Sequence, residues 1–397
     1  MALLSILPDH PGPATHVMVI GVGSYPHLNG GSGPLAAENW NLRQLSSAPL
    51  SAQHFIQWLV KEYQNPAAPL ASIEHLISSP HQVADAAGNL HESQEPIMAN
   101  LYTAYKDWKK RAGSHPDNIA LFYFCGHGLY NNNGTALLAT DFADPEVDRI
   151  ALNAVHVEGT VNGMLSCAAR RQCFFIDSCR SVKTSWQEMM DSPGQPLGTA
   201  GVKNLSAAQQ PIFYATGPTQ VALAPAGEVS LFTKSLVEAL QSLAAVNPDG
   251  DFINGQWVVD TSRIEEGVNT AIKMDLALRP WLEGPECYFG GSGKHFNLHH
   301  LPGRPAVPVV MGWDPSDLNQ RASFEIHCAG AMVAQRPYVP PTPQPLEPWE
   351  SRQPPEIYQV KAVLDNGYMV ARQLILQPPM KRAIFTTPVV QPPHPPV

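Results

Sequence analysis

The sequence predicts an α/β domain built on a mainly parallel sheet with helices on both faces, followed by a small β-rich domain. Strand-length, continuously apolar runs recur between residues 15 and 301, as strands covered on both faces require. Amphipathic stretches with apolar residues three or four positions apart lie between them. Beyond residue 301 the composition shifts: nineteen of the 39 prolines fall there, among short strand-like pieces with no helical periodicity. The expected division is a 1–14 extension, an α/β domain over 15–301, and an accessory domain over 302–397 resembling a β-sandwich.

HVMVIGVGSYP, from His16, reads as a buried strand stopped by Gly, Ser and Pro. SAQHFIQWLVKEY carries Phe55, Ile56, Leu59 and Val60 at helical spacing, and IEHLIS (73–78) is a short strand. PIMANLYTAYKDWKKR is a helix through Ile97, Leu101, Tyr105 and Trp108. NIALFYFCGHG (118–128) is a strand ending in a Gly-His-Gly turn, and TALLATD follows as another. A helix is expected near 158–169, then strands in RRQCFFIDSC and QQPIFYATG. SLFTKSLVEALQSL and TSRIEEGVNTAIKM are helices, the second with Ser262 and Glu265 as its capping box. In the last domain AVPVVMGW, RASFEIHCAG, EIYQVKAVL and YMVARQLIL are strands, with Asp365-Asn366-Gly367 as a hairpin turn. RPYVPPTPQPLEPWESRQPPE (336–356) reads as an extended loop and QPPHPPV as a frayed tail.

A net charge of -9 offers no basic footprint, so neither nucleic acid nor membrane is an expected partner. The start, MALLSILPDHPGP, lacks a basic n-region and is cut by Pro8, which predicts a cytoplasmic protein. The six cysteines form no CxxC pair and no disulfide framework. GVGSYPHLNGGSG (21–33) contains G-x-G after a strand, but its third glycine is out of place for dinucleotide binding. It reads instead as a flexible loop at the sheet's rim. His295, His299 and His300 lack metal-ligand spacing and read as exposed strand-end histidines.

Chemistry concentrates at two strand ends. FFIDSCRS (174–181) brings Cys179 to the end of an apolar run, and FYFCGHG brings His127 to the end of another. Active sites of such sheets gather at the carboxyl ends of strands. A thiol needs a base to become a nucleophile, and histidine supplies one. The amides of Gly128 and Cys179 are candidate oxyanion donors.

These two motifs, in this order and 52 residues apart, resemble the catalytic motifs of the caspase and metacaspase superfamily (peptidase C14-type, clan CD) in its bacterial caspase-like form. HVMVIGVGSYP resembles that family's first strand, and IFYATGPTQVA with SLFTKSLVEAL its last strand and helix. The resemblance spans roughly residues 15–300 and implies a caspase-like fold. It implies a cysteine endopeptidase with Cys179 as nucleophile, His127 as general base and acid, and Gly128 and Cys179 as oxyanion hole, working without a cofactor or metal. Asp177 matches the acid of the metacaspase D-S-C pattern and Asp141 a further acid, which implies cleavage after Arg or Lys. A protein or peptide strand is expected to pair with Ala215, Thr216 and Gly217.

Arg180-Ser181-Val182 departs from the usual His-Ser-Gly, and Arg180 is expected to ion-pair with Asp177 or Asp141. Residues 182–210 form a long aperiodic loop. The resemblance makes Lys183 and Lys203 candidates for a processing cut, by an activating protease or under a regulatory protein. Bacterial relatives act in stress or anti-phage pathways, which the resemblance extends to this chain. The alternative is a catalytically silent caspase-fold interaction module.

Overall fold

The computed structural model describes residues 2–8, 10–78, 82–182, 194–198, 208–277, 284–292, 294–340 and 346–387. The chain divides into two compact units, Met1–Leu240 with Val258–His300, and Gln241–Trp257 with Leu301–Val397. The boundary after residue 300 comes with an exchange, because residues 241–257 join the second unit.

The first unit is organised by a seven-stranded sheet. Its strands are β1 (Leu3–Ser5), β2 (Thr15–Gly21), β3 (Leu70–Ile77), β4 (Ile119–Gly126), β5 (Arg171–Ser178), β6 (Gln210–Tyr214) and β7 (Tyr288–Ser292). They lie in the order β1-β3-β2-β4-β5-β6-β7. The five inner strands are parallel, and both edge strands are antiparallel. Every residue of β2 and β4 is buried, as the uninterrupted apolar runs require of a sheet covered on both faces. The N-terminal stretch adds the edge strand β1, which its sequence did not announce.

Among the described residues, five helices cover the sheet: α1 (Ser47–Lys61), α2 (Met98–Ala112), α3 (Val157–Met164), α4 (Leu231–Glu238) and α5 (Ile264–Ala277). On one face α1 sets Phe55 against Tyr123, their rings stacked at 4.6 Å, and edge-on to Phe175. On the other, Leu101, Tyr105 and Trp108 of α2 join a core with Met18, Ile20, Phe122, Phe124 and Phe174. The Trp108 indole also donates to the His16 carbonyl at 3.0 Å, which satisfies a polar atom in an apolar setting. Gly21 lets α1 approach, since a Cβ there would stand 2.7 Å from Ala52 Cβ.

Two sequence expectations change here. Asp260 caps the turn before α5, accepting from the Ser262 amide at 2.9 Å. The Ser262–Glu265 box is not formed, because Ser262 turns its hydroxyl onto Asp260 and Glu265 accepts from the Phe289 amide. His299 is buried rather than exposed. Its ring stacks on Tyr63 and bonds the main chain of Gln64.

The second unit contains a three-stranded and a four-stranded sheet. The first orders Trp349–Gln353, Val307–Asp314 and Lys381–Thr386; the second orders Ala331–Arg336, Ala322–Cys328, Ile357–Leu364 and Met369–Ile375. Both feed one apolar core through Val309, Met311, Trp313, Phe324, Val360 and Phe385, as two packed sheets do. Gly367 turns the last hairpin at φ 84°. The stretch expected to be an extended loop contains the strand Trp349–Gln353; the expected tail, residues 391–397, lies outside the described residues.

Candidate active site

β4 and β5 run parallel in a register that pairs Gly126 with Ser178. The next residue along each strand is His127 and Cys179, so the two leave neighbouring strands at one level of the rim. Gly128 is wedged against this exit: a Cβ on it would lie 2.4 Å from the Cys179 carbonyl and 2.6 Å from Ser178 Oγ. Only glycine tolerates so close a backbone approach.

The imidazole of His127 is buried and held firmly. Its Nε2 lies 2.6 Å from the carbonyl of Arg43; a carbonyl only accepts, so Nε2 carries the proton and Nδ1 keeps the lone pair. Burial pulls the pKa of His127 down to about 4, so the ring is neutral at ordinary pH, as a base must be. Tyr25 packs its ring against the imidazole at 4.9 Å and accepts the His127 amide proton on its hydroxyl at 2.9 Å.

Cys179 is half-buried, the Ala222 amide donating to its Sγ at 3.3 Å. The chain after β6 runs beside the nucleophile. Arg180 N–H donates to the Gln220 carbonyl at 3.1 Å, and Thr219 N–H to the Arg180 carbonyl at 2.9 Å.

Asp177, two residues earlier, is only 3% exposed. Three donors converge on it: Thr233 Oγ1 at 2.6 Å, Cys125 Sγ at 3.4 Å, and the hydroxyl of Ser230. All three reach the same oxygen, Oδ2. Burial raises the Asp177 pKa, and the Ser230 and Thr233 hydrogen bonds counteract that rise.

The remaining expected site residues are tied into the fold. Asp141 accepts the Met98 amide at 3.0 Å and so caps α2, a job its position after TALLAT did not reveal. Ala215 and Thr216 are fully buried, with Ala215 N–H spent on the Ile176 carbonyl. Gly217 alone of the three reaches the surface in part, and its N–H is taken by Gln220 Oε1 at 3.1 Å. Arg180 does not make the expected ion pair, since the donors to Asp177 are the two hydroxyls and the thiol. Its guanidinium is buried among Tyr214 at 4.3 Å, Tyr130 at 4.7 Å and Tyr288 at 5.6 Å, a desolvated cation–π arrangement. The side chain alternates along the extended chain, so residue 180 points away from 177. Lys183 and Lys203 lie outside the described residues.

Comparison with known proteins agrees with this architecture. The profile of the caspase domain family, Peptidase C14, matches residues 16–251.

The chain belongs to the caspase domain family.

The matched residues of the caspase domain take in the five parallel strands β2 to β6, with His127 and Cys179 at their ends. An uncharacterized protein of Sinorhizobium fredii, y4kE, is 31% identical over 255 residues, which cover 63% of this chain and 71% of that protein.

Sequence reasoning missed Tyr25, Arg43, Ser230 and Thr233. Ser-Leu-Phe-Thr at 230–233 carries a helix-cap signal, a serine three residues ahead of the amide it binds. Arg43 acts through its carbonyl, for which no side-chain signal exists.

Proposed function

We propose that this caspase domain is a cysteine endopeptidase using His127 and Cys179 and cleaving after Arg or Lys. The observation that carries the reading is the β4–β5 register, which brings both residues out at one level beside a glycine too tight for any side chain. Nδ1 of His127 takes the thiol proton and Sγ attacks the scissile carbonyl. The amides of Gly128 and Cys179 face the oxyanion that forms. The C–N bond then breaks as His127 returns the proton to the leaving amine. A water molecule, deprotonated by His127, splits the thioester and restores the thiol.

The basic preference is supported by the one-sided bonding of Asp177. With Oδ2 engaged by three donors, Oδ1 is the oxygen left to meet a guanidinium or ammonium group. Asp141 spends Oδ1 on the Met98 amide as the cap of α2.

Fluorogenic peptides ending in Arg, Lys or Asp, tested on wild type and Cys179→Ala, check the proposal. Cleavage after Arg or Lys is expected, lost in Cys179→Ala. Asp177→Asn should lower kcat/KM for those peptides about tenfold or more. Cleavage after Asp would keep the dyad and sink the pocket. Continued silence of the wild type after a processing cut, calcium or a partner protein has been supplied would favour the silent interaction module. A place in a stress or anti-phage pathway belongs to the same proposal and calls for infection of cells carrying Cys179→Ala.

A further inference from the structure

We infer that Gln44 and Tyr25 form a clamp that positions the imidazole of His127, a proposal resting on the peptidase reading above. The loop between β2 and α1 touches His127 at two separate points. Tyr25, near the start of that loop, packs on the ring at 4.9 Å and accepts the His127 N–H at 2.9 Å. Arg43, near its end, accepts from Nε2 at 2.6 Å.

Eighteen residues separate the two contacts along the chain (43 minus 25), so neither defines the ring's place unless the loop itself is fixed. Gln44 fixes it. Its Oε1 accepts the Tyr25 amide at 2.7 Å, and its Nε2 donates to the Tyr25 carbonyl at 2.9 Å and the Asn29 carbonyl at 3.2 Å. One side chain therefore sews the beginning of the loop to the residue next to Arg43.

The glycine-rich stretch has a use in this clamp. A Cβ on Gly31 would collide with the Tyr25 carbonyl at 2.4 Å, and one on Gly126 would stand 3.0 Å from the Tyr25 hydroxyl. The loop is thus folded tightly around Tyr25 rather than left flexible. Tyr25 is wholly buried, and its hydroxyl, besides accepting from His127, donates to the Val22 carbonyl at 3.2 Å. The hydroxyl is used on both sides, so its orientation is set. Because the main chain of Gln44 follows Arg43 directly, holding Gln44 holds the carbonyl that selects the His127 tautomer.

Gln44 touches no reacting atom. It is a positioning residue, and its loss should appear in the chemical step rather than in substrate binding.

The test is steady-state cleavage of the best fluorogenic peptide by the full chain, alongside nitrogen NMR of protein labelled with 15N-histidine, the His127 signal being assigned by difference from His127→Ala. Gln44→Ala should lower kcat roughly 10- to 100-fold with KM within about twofold, since small misplacements carry rate penalties of that size. The His127 signal should move from the Nε2–H tautomer toward a mixture. Gln44→Glu keeps the acceptor for the Tyr25 amide and loses both donors, so it should fall between wild type and Gln44→Ala. Tyr25→Phe keeps the ring and loses the hydroxyl, and should lower kcat about tenfold; it serves as the second variant if Gln44→Ala does not fold. Asn39→Ala disturbs the same loop, where Asn39 bonds Ala36, Asn41 and the Asn29 side chain, without removing any bond of Gln44 or Tyr25; its kcat and tautomer should stay near wild type. Wild-type kcat together with an unmoved His127 signal in Gln44→Ala would overturn the clamp. So would an equal kcat loss in Asn39→Ala. If wild type cleaves no peptide even after a processing cut, calcium or a partner protein has been supplied, the peptidase reading fails on its own account, and the tautomer comparison still decides the clamp.

Discussion

Gly128 shows how little room the rim leaves. A methyl group there would meet the carbonyl of Cys179, a backbone atom that does not rotate away. Gly128→Ala should therefore destabilise the fold by about 1–3 kcal/mol and abolish cleavage, read by thermal melting and peptide assay. Melting at the wild-type temperature would mean that the strand ends can part. Arg180 makes a different point at the same scale. The charge written beside the nucleophile suggested an ion pair, but the extended backbone turns residue 180 to the opposite side from Asp177, and aromatic faces take the cation. Cys125, two residues before His127, is a donor to Asp177.

At the scale of elements, α4 ties the helical layer to the site. Ser230 accepts the Thr233 amide at 3.1 Å and donates its proton to Asp177, so one hydroxyl caps the helix and serves a buried carboxylate. Ser230→Ala should cost about 2–4 kcal/mol, the sum of a lost cap and a lost buried hydrogen bond; urea unfolding measures it, and a loss below about 1 kcal/mol would show that Thr233 and Cys125 suffice. In the second unit Phe324 lies at the centre of the core, fully buried and near Phe385. Truncation to alanine should cost about 3–5 kcal/mol. Hydrogen exchange in the strand Ile357–Leu364, which pairs with the strand of Phe324, should quicken in step. These elements were largely legible. Periodicity located α1, α2 and α4 and the inner strands, because a helix or strand buried on one or both faces writes its period into the chain. The strands Ala331–Arg336, Trp349–Gln353 and Lys381–Thr386 were not, since each is an edge strand with few buried residues, and proline masks one of them.

Across the whole molecule, buried histidines couple stability to pH. Burial holds His16, His75, His127 and His299 neutral, each with its pKa lowered to about 4, whereas in the unfolded chain they titrate near 6.5. Between these values the unfolded state binds protons that the folded state refuses. Stability should therefore be level, as far as these groups are concerned, above about pH 6.5 and fall as pH drops toward 4. Asp177 and Asp141 oppose the trend, burial raising the pKa of each, but as two groups against those four histidines. Melting temperature followed from pH 7.5 to 4.5 checks this, and a curve flat through that window would count against it. The sequence by itself determined the fold class, the two strand ends that carry His127 and Cys179, and the turn to β structure beyond residue 301, because burial patterns and turn residues are local signals. Only the tertiary structure decided what holds those two residues. The Arg43 carbonyl, the Tyr25 hydroxyl and the Gln44 amide act across long stretches of chain, and Asp141 proved to be the cap of a helix that begins 43 residues before it. Such contacts depend on which loop closes over which strand end, and neither residue type nor spacing records that.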